Sequence, residues 1–359
     1  MSYSKEKNEL IDKYTKELWK LPKARKESLK ERLKRLWNEF LEKERKEPSR
    51  VTFSSDHIKG RDFSKDPLEG DVHYFSVQVN EMYLPYQSKL WVKLDPTVFV
   101  TTEFNYDGKK ESVPFVVGPS MMGIPDDKIP EGMIFKDTKV AGLHPYKGGD
   151  FTLAIILCRI QRKSYGKKLL KIVEAVAGAL DYSTQVSSYL QLANVVVDGI
   201  EEMMGIKDLS PLFGLRTEFH QDVGPSLKES FFALINTPQN ELNEDELWVL
   251  DNELCKGKSF SDSKPYRDAD YVLYSIKATT KRTDLNFLNF NDAWKRVKED
   301  AMKPDAESWK RAKAGMNALR ITMYNSPDLT TKHALKAAAN YKKEMKELHD
   351  IATNPKNHQ

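Results

Sequence analysis

The spacing of apolar positions changes period several times along the chain. Residues 5–20 and 23–46 carry helical spacing, with Pro22 separating the two segments or opening the second in its first turn. In the second segment Leu29, Leu33, Leu36 and Phe40 recur at steps of four, three and four, with Trp37 beside them. This is a narrow stripe of the width that paired helices use. Two such helices cannot enclose a core, so they are expected to pack on the body of the chain or on another protein, with Leu29, Leu33, Leu36, Trp37 and Phe40 as the candidate partner-binding face.

From about residue 70 the period shortens to two. Asp71–Asn80 alternates, with His73, Phe75, Val77 and Val79 on one face. Lys89–Leu94, Thr97–Phe104, Glu111–Val117, Met133–Ala141 and Phe151–Gln161 follow as strands, and Asn105–Gly108 supplies a hairpin turn. Short strands with no helix among them predict an antiparallel sheet or sandwich.

Helical spacing then returns. Leu169, Val173, Val176 and Leu180 form one apolar face, and Val186 to Met204 form a second. Charges are sparse there, so a buried helical hairpin is expected near 165–205. Leu215–Asp222, Ser230–Asn236, Glu246–Leu254 and Asp270–Ala278 read as further strands. Helices over 291–302, around Trp309–Met323, and from Ser326-Pro327 to about 352 close the chain, the last burying Leu335, Ala338, Met345 and Leu348. Residues 48–69 and 256–267 read as loops.

The fold class is therefore α+β. A helical arm spans 1–48, and a β-rich core domain spans 50–280 with the apolar hairpin inserted. A three-helix region occupies 283–353.

Composition sharpens this in two places. The 359 residues carry a net charge of +4, but residues 1–50 hold 16 basic and 10 acidic side chains, a net of +6, leaving −2 for the remainder. The arm's basic patch comprises Lys23, Lys26, Lys30, Lys34, Arg32 and Arg35, yet Glu27, Glu31 and Glu42 interleave with it. A nucleic-acid footprint would present a face of one sign. Nucleic acid and an anionic membrane surface are accordingly secondary expectations. The two cysteines, Cys158 and Cys255, exclude a disulfide scaffold and a cysteine-rich zinc module. The N-terminal segment lacks the apolar run of a secretory signal, and its acids do not suit a transit peptide, so the cytoplasm is expected.

The spacings of the strong catalytic motifs are not met. Gly257-Lys258-Ser259 lacks the upstream glycine of a phosphate-binding loop, since position 252 is Asn252. No G-x-G-x-x-G follows a strand. Gly118-Pro119-Ser120-Met121-Met122-Gly123 has one residue too many for a nucleophile elbow. No metal set and no cofactor motif emerges.

Two polar clusters remain. As a strand, Arg216-Thr217-Glu218-Phe219-His220-Gln221-Asp222 puts Arg216, Glu218, His220 and Asp222 on one face. Carboxylates beside an imidazole hold its tautomer, as a general base requires. His144, Tyr146 and Asp150 lie in a Pro- and Gly-containing connection between two strands. A solvated strand face and an ordinary turn explain these clusters as well as a site does.

The sequence thus favours a non-enzymatic interaction or adaptor subunit of an intracellular assembly, with a protein partner or self-association. A hydrolase using His220 or His144 as base is the alternative. A membrane- or nucleic-acid-acting effector is a further one.

Overall fold

A computed structural model describes residues 27–43, 47–84, 88–89, 92–118, 138–161, 186–204, 209–221 and 225–354. The expected first helix over 5–20 and the first half of the apolar hairpin lie outside the described residues.

Helix α1 spans Leu29–Lys43. It opens on a reciprocal cap: the Glu31 carboxylate accepts from the Ser28 backbone N–H at 2.8 Å, and the Ser28 hydroxyl accepts from the Glu31 N–H. The strands are β1 Ser49–Thr52, β2 Ile58–Lys59, β3 Tyr74–Tyr83, β4 Ser88–Lys89, β5 Val92–Tyr106, β6 Lys109–Val117, β7 Thr138–Pro145 and β8 Phe151–Gln161. Helix α2, Val186–Met204, precedes β9 Leu209–Phe219, β10 Ser230–Ile235, β11 Leu247–Leu250, β12 Glu253–Lys256, β13 Lys264–Pro265 and β14 Tyr271–Thr279. Helices α3 Asn291–Ala301, α4 Ala306–Tyr324 and α5 Thr331–Thr353 end the chain.

The described strands form three sheets. The first has the antiparallel order β1-β10-β14-β3-β7. The second runs β6-β5-β8-β9, also antiparallel, with β4 turning back on the start of β5. The small third sheet, β13-β12-β11-β2, contains one parallel pair, β11 with β2.

Strand β10 explains the layering. Phe232 and Leu234 face the main core shared with the second sheet. Phe231, Ala233 and Ile235 face a separate core shared with Leu247, Val249 and Leu254 of the small sheet. A strand buried on both faces reads as a continuous apolar run, as 230–235 does. The first sheet is thus the middle layer of three.

Prolines in long strands obey the edge rule, since proline donates no ladder hydrogen bond. Pro211 lies in edge strand β9 and Pro114 in edge strand β6. Pro96 lies in β5 ahead of its pairing with β6, which begins at Val98. The expected strand 97–104 and the end of the expected strand 89–94 therefore join across Pro96, while Lys89 belongs to β4, which pairs back on Val92.

Several other expectations are corrected. Glu246–Leu254 is a hairpin, not one strand, because Asp251 and Asn252 both adopt positive φ, 49° and 69°. The supposed loops at 48–69 and 256–267 contain β1, β2 and β13. The last helix starts at Thr331, not at Pro327: the Thr330 hydroxyl caps it by accepting from the His333 N–H. That phase buries Ala338 and Met345 but leaves Leu335 55% exposed.

The arm stripe meets the chain's own body. Leu33, Leu36, Trp37 and Phe40 are buried in the main core, and Leu29 packs against it. The Trp37 indole N–H donates to Thr101 Oγ1 at 3.3 Å, and the Phe40 ring lies 5.7 Å from that of Phe99. Helix α1 therefore covers the outer face of the second sheet. Its stripe, expected to bind a partner, is occupied intramolecularly.

The three C-terminal helices enclose their own core, around Trp294, Met316, Leu319 and Met345. They join the body through a buried polar junction. The Arg282 guanidinium donates to the Asp328 backbone carbonyl and pairs with Asp284. The Asp328 carboxylate accepts from the Tyr106 hydroxyl at 3.3 Å and the Val186 N–H at 3.2 Å. The Thr330 N–H donates to the Tyr74 hydroxyl at 3.0 Å.

Candidate functional site

Cross-strand register assembles the two polar clusters. Glu103, Thr152 and Glu218 form one row across β5, β8 and β9, and Thr101, Ala154 and Arg216, two residues along, form the next row on the same face. Residues in one row share a face. Trp37 bonds Thr101 on this face, so it is the outer one, and the Glu103–Glu218 row lies beside α1. Arg216 Nη2 lies 3.3 Å from Glu103 Oε2 and 3.4 Å from Glu218 Oε1.

Beyond these rows, His220 Nδ1 lies 2.9 Å from Asp150 Oδ1. This contact joins the two clusters. Asp150 is held by a pinned connection in which Gly148 and Gly149 adopt φ of 81° and 79°. The Asn105 side-chain amide donates to the Gly148 carbonyl at 3.0 Å, and the Gly149 N–H donates to Gln221 Oε1 at 2.9 Å. A Cβ at Gly149 would sit 2.6 Å from Asn105 Nδ2. These are conformations that only glycine adopts without strain.

The remaining candidates separate. His144 is fully buried among Phe75, Phe104 and Tyr189, with ring centroids 5.7, 5.1 and 5.1 Å away. Burial, with the Arg282 charge adding to it, pushes its pKa down to about 3. It has no access to a substrate. Tyr146 is buried, and its hydroxyl donates to the Gly149 carbonyl at 2.8 Å, so it braces the turn. Asp222 lies outside the described residues.

The basic patch of the arm also divides. Lys23 and Lys26 lie outside the described residues, and Lys30 and Lys34 are exposed. Arg32 is buried, with Nη2 2.6 Å from Asp198 and Nε 3.0 Å from Glu201. Arg35 bonds Glu27 and Glu201 at 3.1 and 2.8 Å. Hydrogen bonding and charge from Arg32 and Arg35 hold the Glu201 carboxyl below its ordinary range. Part of the arm's positive charge therefore clamps α1 to α2 and is not free to meet a polyanion.

No known protein family matches the sequence, and neither curated proteins nor solved structures give a match.

Chemically, an exposed imidazole bonded through Nδ1 to a carboxylate can accept a proton at its other nitrogen. Among the described residues no group of three or more His, Cys, Asp or Glu side chains is placed to hold a metal ion. No described helix is long and apolar enough to cross a membrane.

Two surfaces escaped the sequence reading. One is a cleft of about 580 Å³ lined by residues of β1 and β9, among them Arg50 and Arg216, and by Pro238 and Gln239 from the turn after β10. Its signal was the alternation Arg50-Val51-Thr52-Phe53, inside a segment otherwise rich in loop residues. The other is the end of the bundle where α4 turns into α5. There Ile321, Tyr324 and Leu335 are 59%, 54% and 55% exposed.

Proposed function

We propose that the protein is a non-enzymatic interaction subunit that docks an acidic, amphipathic segment of another protein on the α4–α5 end of its helical bundle. The observation that carries this reading is the combination of exposed apolar side chains with charge of one sign. Ile321 and Tyr324 are three residues apart on the last turn of α4, and Leu335 lies in the second turn of α5. On the same two helices Arg320, Lys332 and Lys336 are exposed, the one acid between Glu307 and Glu344 in the sequence, Asp328, is buried in the junction, and Asp71, which meets the start of α5 from the body, is paired with Lys147. Exposed apolar anchors on helices whose exposed charges near them are basic suit a partner helix with an apolar stripe and acidic flanks. Isolated exposed apolar residues are ordinary on protein surfaces, so the charge is what selects the partner class.

The test is affinity capture of the full chain from its own cells, followed by reconstitution of the captured protein with purified variants. Ile321→Asp and Leu335→Asp are expected to weaken the reconstituted complex at least about tenfold while leaving the fold intact, as truncated interface anchors do. A complex indifferent to both substitutions, or one held by nucleic acid alone, refutes the proposal.

The His220–Asp150 contact favours a second reading, a hydrolase with His220 as general base. In that case ester hydrolysis by the full chain falls with His220→Ala and with Asp150→Asn. Equal rates in the two variants and the parent refute it.

A further inference from the structure

We infer that the cleft between β1 and β9 binds a small ligand through its carboxylate or phosphate group, with Arg50 as the anchor. The inference stands independently of the docking surface on the bundle.

Strand β1 is the edge of the first sheet and β9 the edge of the second, and both line the cleft. Register pairs Arg50 with Leu234, whose side chain faces the main core. Arg50 therefore points inward from its edge strand, toward the gap between the sheets. Its guanidinium carbon lies 5.5 Å from the Phe219 ring centroid and 5.7 Å from that of Phe232. These two rings, one from each side of the gap, hold the guanidinium by cation–π attraction.

The polar side of that guanidinium is incomplete. Arg50 Nε is shielded from solvent and has no hydrogen-bond partner among the described residues. Every other charged group in the lining differs from it. Arg216 is engaged by Glu103 and Glu218. Glu47 is exposed. Gln239 is committed too: its side-chain oxygen accepts from the Arg50 backbone N–H at 3.2 Å, and its amide nitrogen donates to Glu244. The contact with Gln239 occupies the backbone donor that Arg50 turns toward the cleft and fixes the strand there.

Nε is closed off from the cleft, so an oxyanion in the cleft would accept from the terminal nitrogens of the half-buried guanidinium, in charge-assisted hydrogen bonds. A cleft of about 580 Å³ falls within the size range of small-molecule sites. Pro48, Leu215 and Pro238 in its lining supply apolar contact for the rest of such a ligand. An inward charge on an edge strand also discourages pairing with another chain. That role needs only the charge, and a lysine would meet it equally.

The experiment is calorimetric titration of the full chain with inorganic phosphate and, separately, with succinate, at low ionic strength. At least one is expected to bind saturably at one site, and which of them does so distinguishes a phosphate from a carboxylate ligand. Arg50→Gln is expected to weaken that binding about tenfold or more, and Arg50→Lys to recover only part of it, since the ammonium lacks the fork. Glu47→Gln, a change at an exposed position, is expected to tighten binding several-fold by removing a like charge. That variant decides the matter if Arg50→Gln does not fold. Absence of saturable binding by both probes overturns the inference. So does binding that Arg50→Lys and Glu47→Gln both leave unchanged.

Discussion

Replacing His144 by Phe should abolish a defined part of the protein's acid sensitivity. His144 is wholly buried between aromatic rings, and neither ring nitrogen has a hydrogen-bond partner among the described residues. Burial and the nearby Arg282 charge lower its pKa from 6.5 to about 3. As the pH falls below about 6.5, the unfolded chain takes up a proton at this position and the folded chain does not. Stability is therefore fully present above that pH and drains away toward pH 3. Between pH 7 and pH 5 the loss from this one group is about 2 kcal/mol. Urea unfolding followed by tryptophan fluorescence measures the stability difference between the two pH values. Phenylalanine does not titrate, so His144→Phe should shrink that difference by about 2 kcal/mol. Its effect at pH 7 is small, because a slightly larger ring is offset by the loss of an unsatisfied polar group. His333, whose pKa burial also lowers, is present in both proteins and cancels. If the variant loses as much stability between pH 7 and pH 5 as the parent, the placement of His144 is refuted.

Two further outcomes concern the seating of α1. Phe40→Ala should cost about 3–5 kcal/mol, the range for a buried aromatic truncated to a methyl group, and lower the thermal midpoint accordingly. Removal of residues 1–47 should yield an insoluble body, because it uncovers Phe99 and its neighbours on the second sheet; a soluble, folded truncation contradicts the packing. Gly214→Ala should destabilise by about 1–3 kcal/mol, since its Cβ would sit 2.7 Å from Ile156 Cγ1 and 3.1 Å from the Ile155 carbonyl oxygen. An unchanged thermal midpoint would contradict the close approach of β8 and β9 at that row.

Local features were the most legible. The stripe of α1, the strand over 151–161 and the helix over 186–204 follow directly from spacing. The capping box Ser28-Leu29-Lys30-Glu31 marks the start of α1 and was there to be read, as were Asp251-Asn252 at the hairpin turn. What spacing cannot supply is the partner of a stripe. A 4-3-4 pattern specifies that one face is apolar, and the same pattern serves a sheet of the same chain or a second protein. The start of α5 misled for a related reason. Ser326-Pro327 has the composition of a helix entry, but Asp328 and Leu329 are drawn into the junction with Arg282 and Tyr106. Tertiary hydrogen bonding there delays the helix to Thr331.

The candidate site depended on the same non-local information. Period two puts Arg216 and Glu218 on one face, as the register of β9 has them, because alternation is intrinsic to a strand, whereas His220 lies just past the end of β9. That Asp150 meets His220 follows only from the β8–β9 register, which spans some seventy residues. Sheet order then explains where the unsatisfied chemistry collects. On one side of the two large sheets, α2 packs against β6, and its Tyr189 contacts His144 of β7, so those edges are covered. On the other side no described helix closes the gap between β1 and β9, and a cleft lies there. An edge that stays open must carry polar groups, and polar groups held without partners are where a ligand has most to offer. Arg50 meets that description within the cleft, and His220 with Asp150 lies just beyond it, so the open edge is the place to look for bound chemistry in this fold.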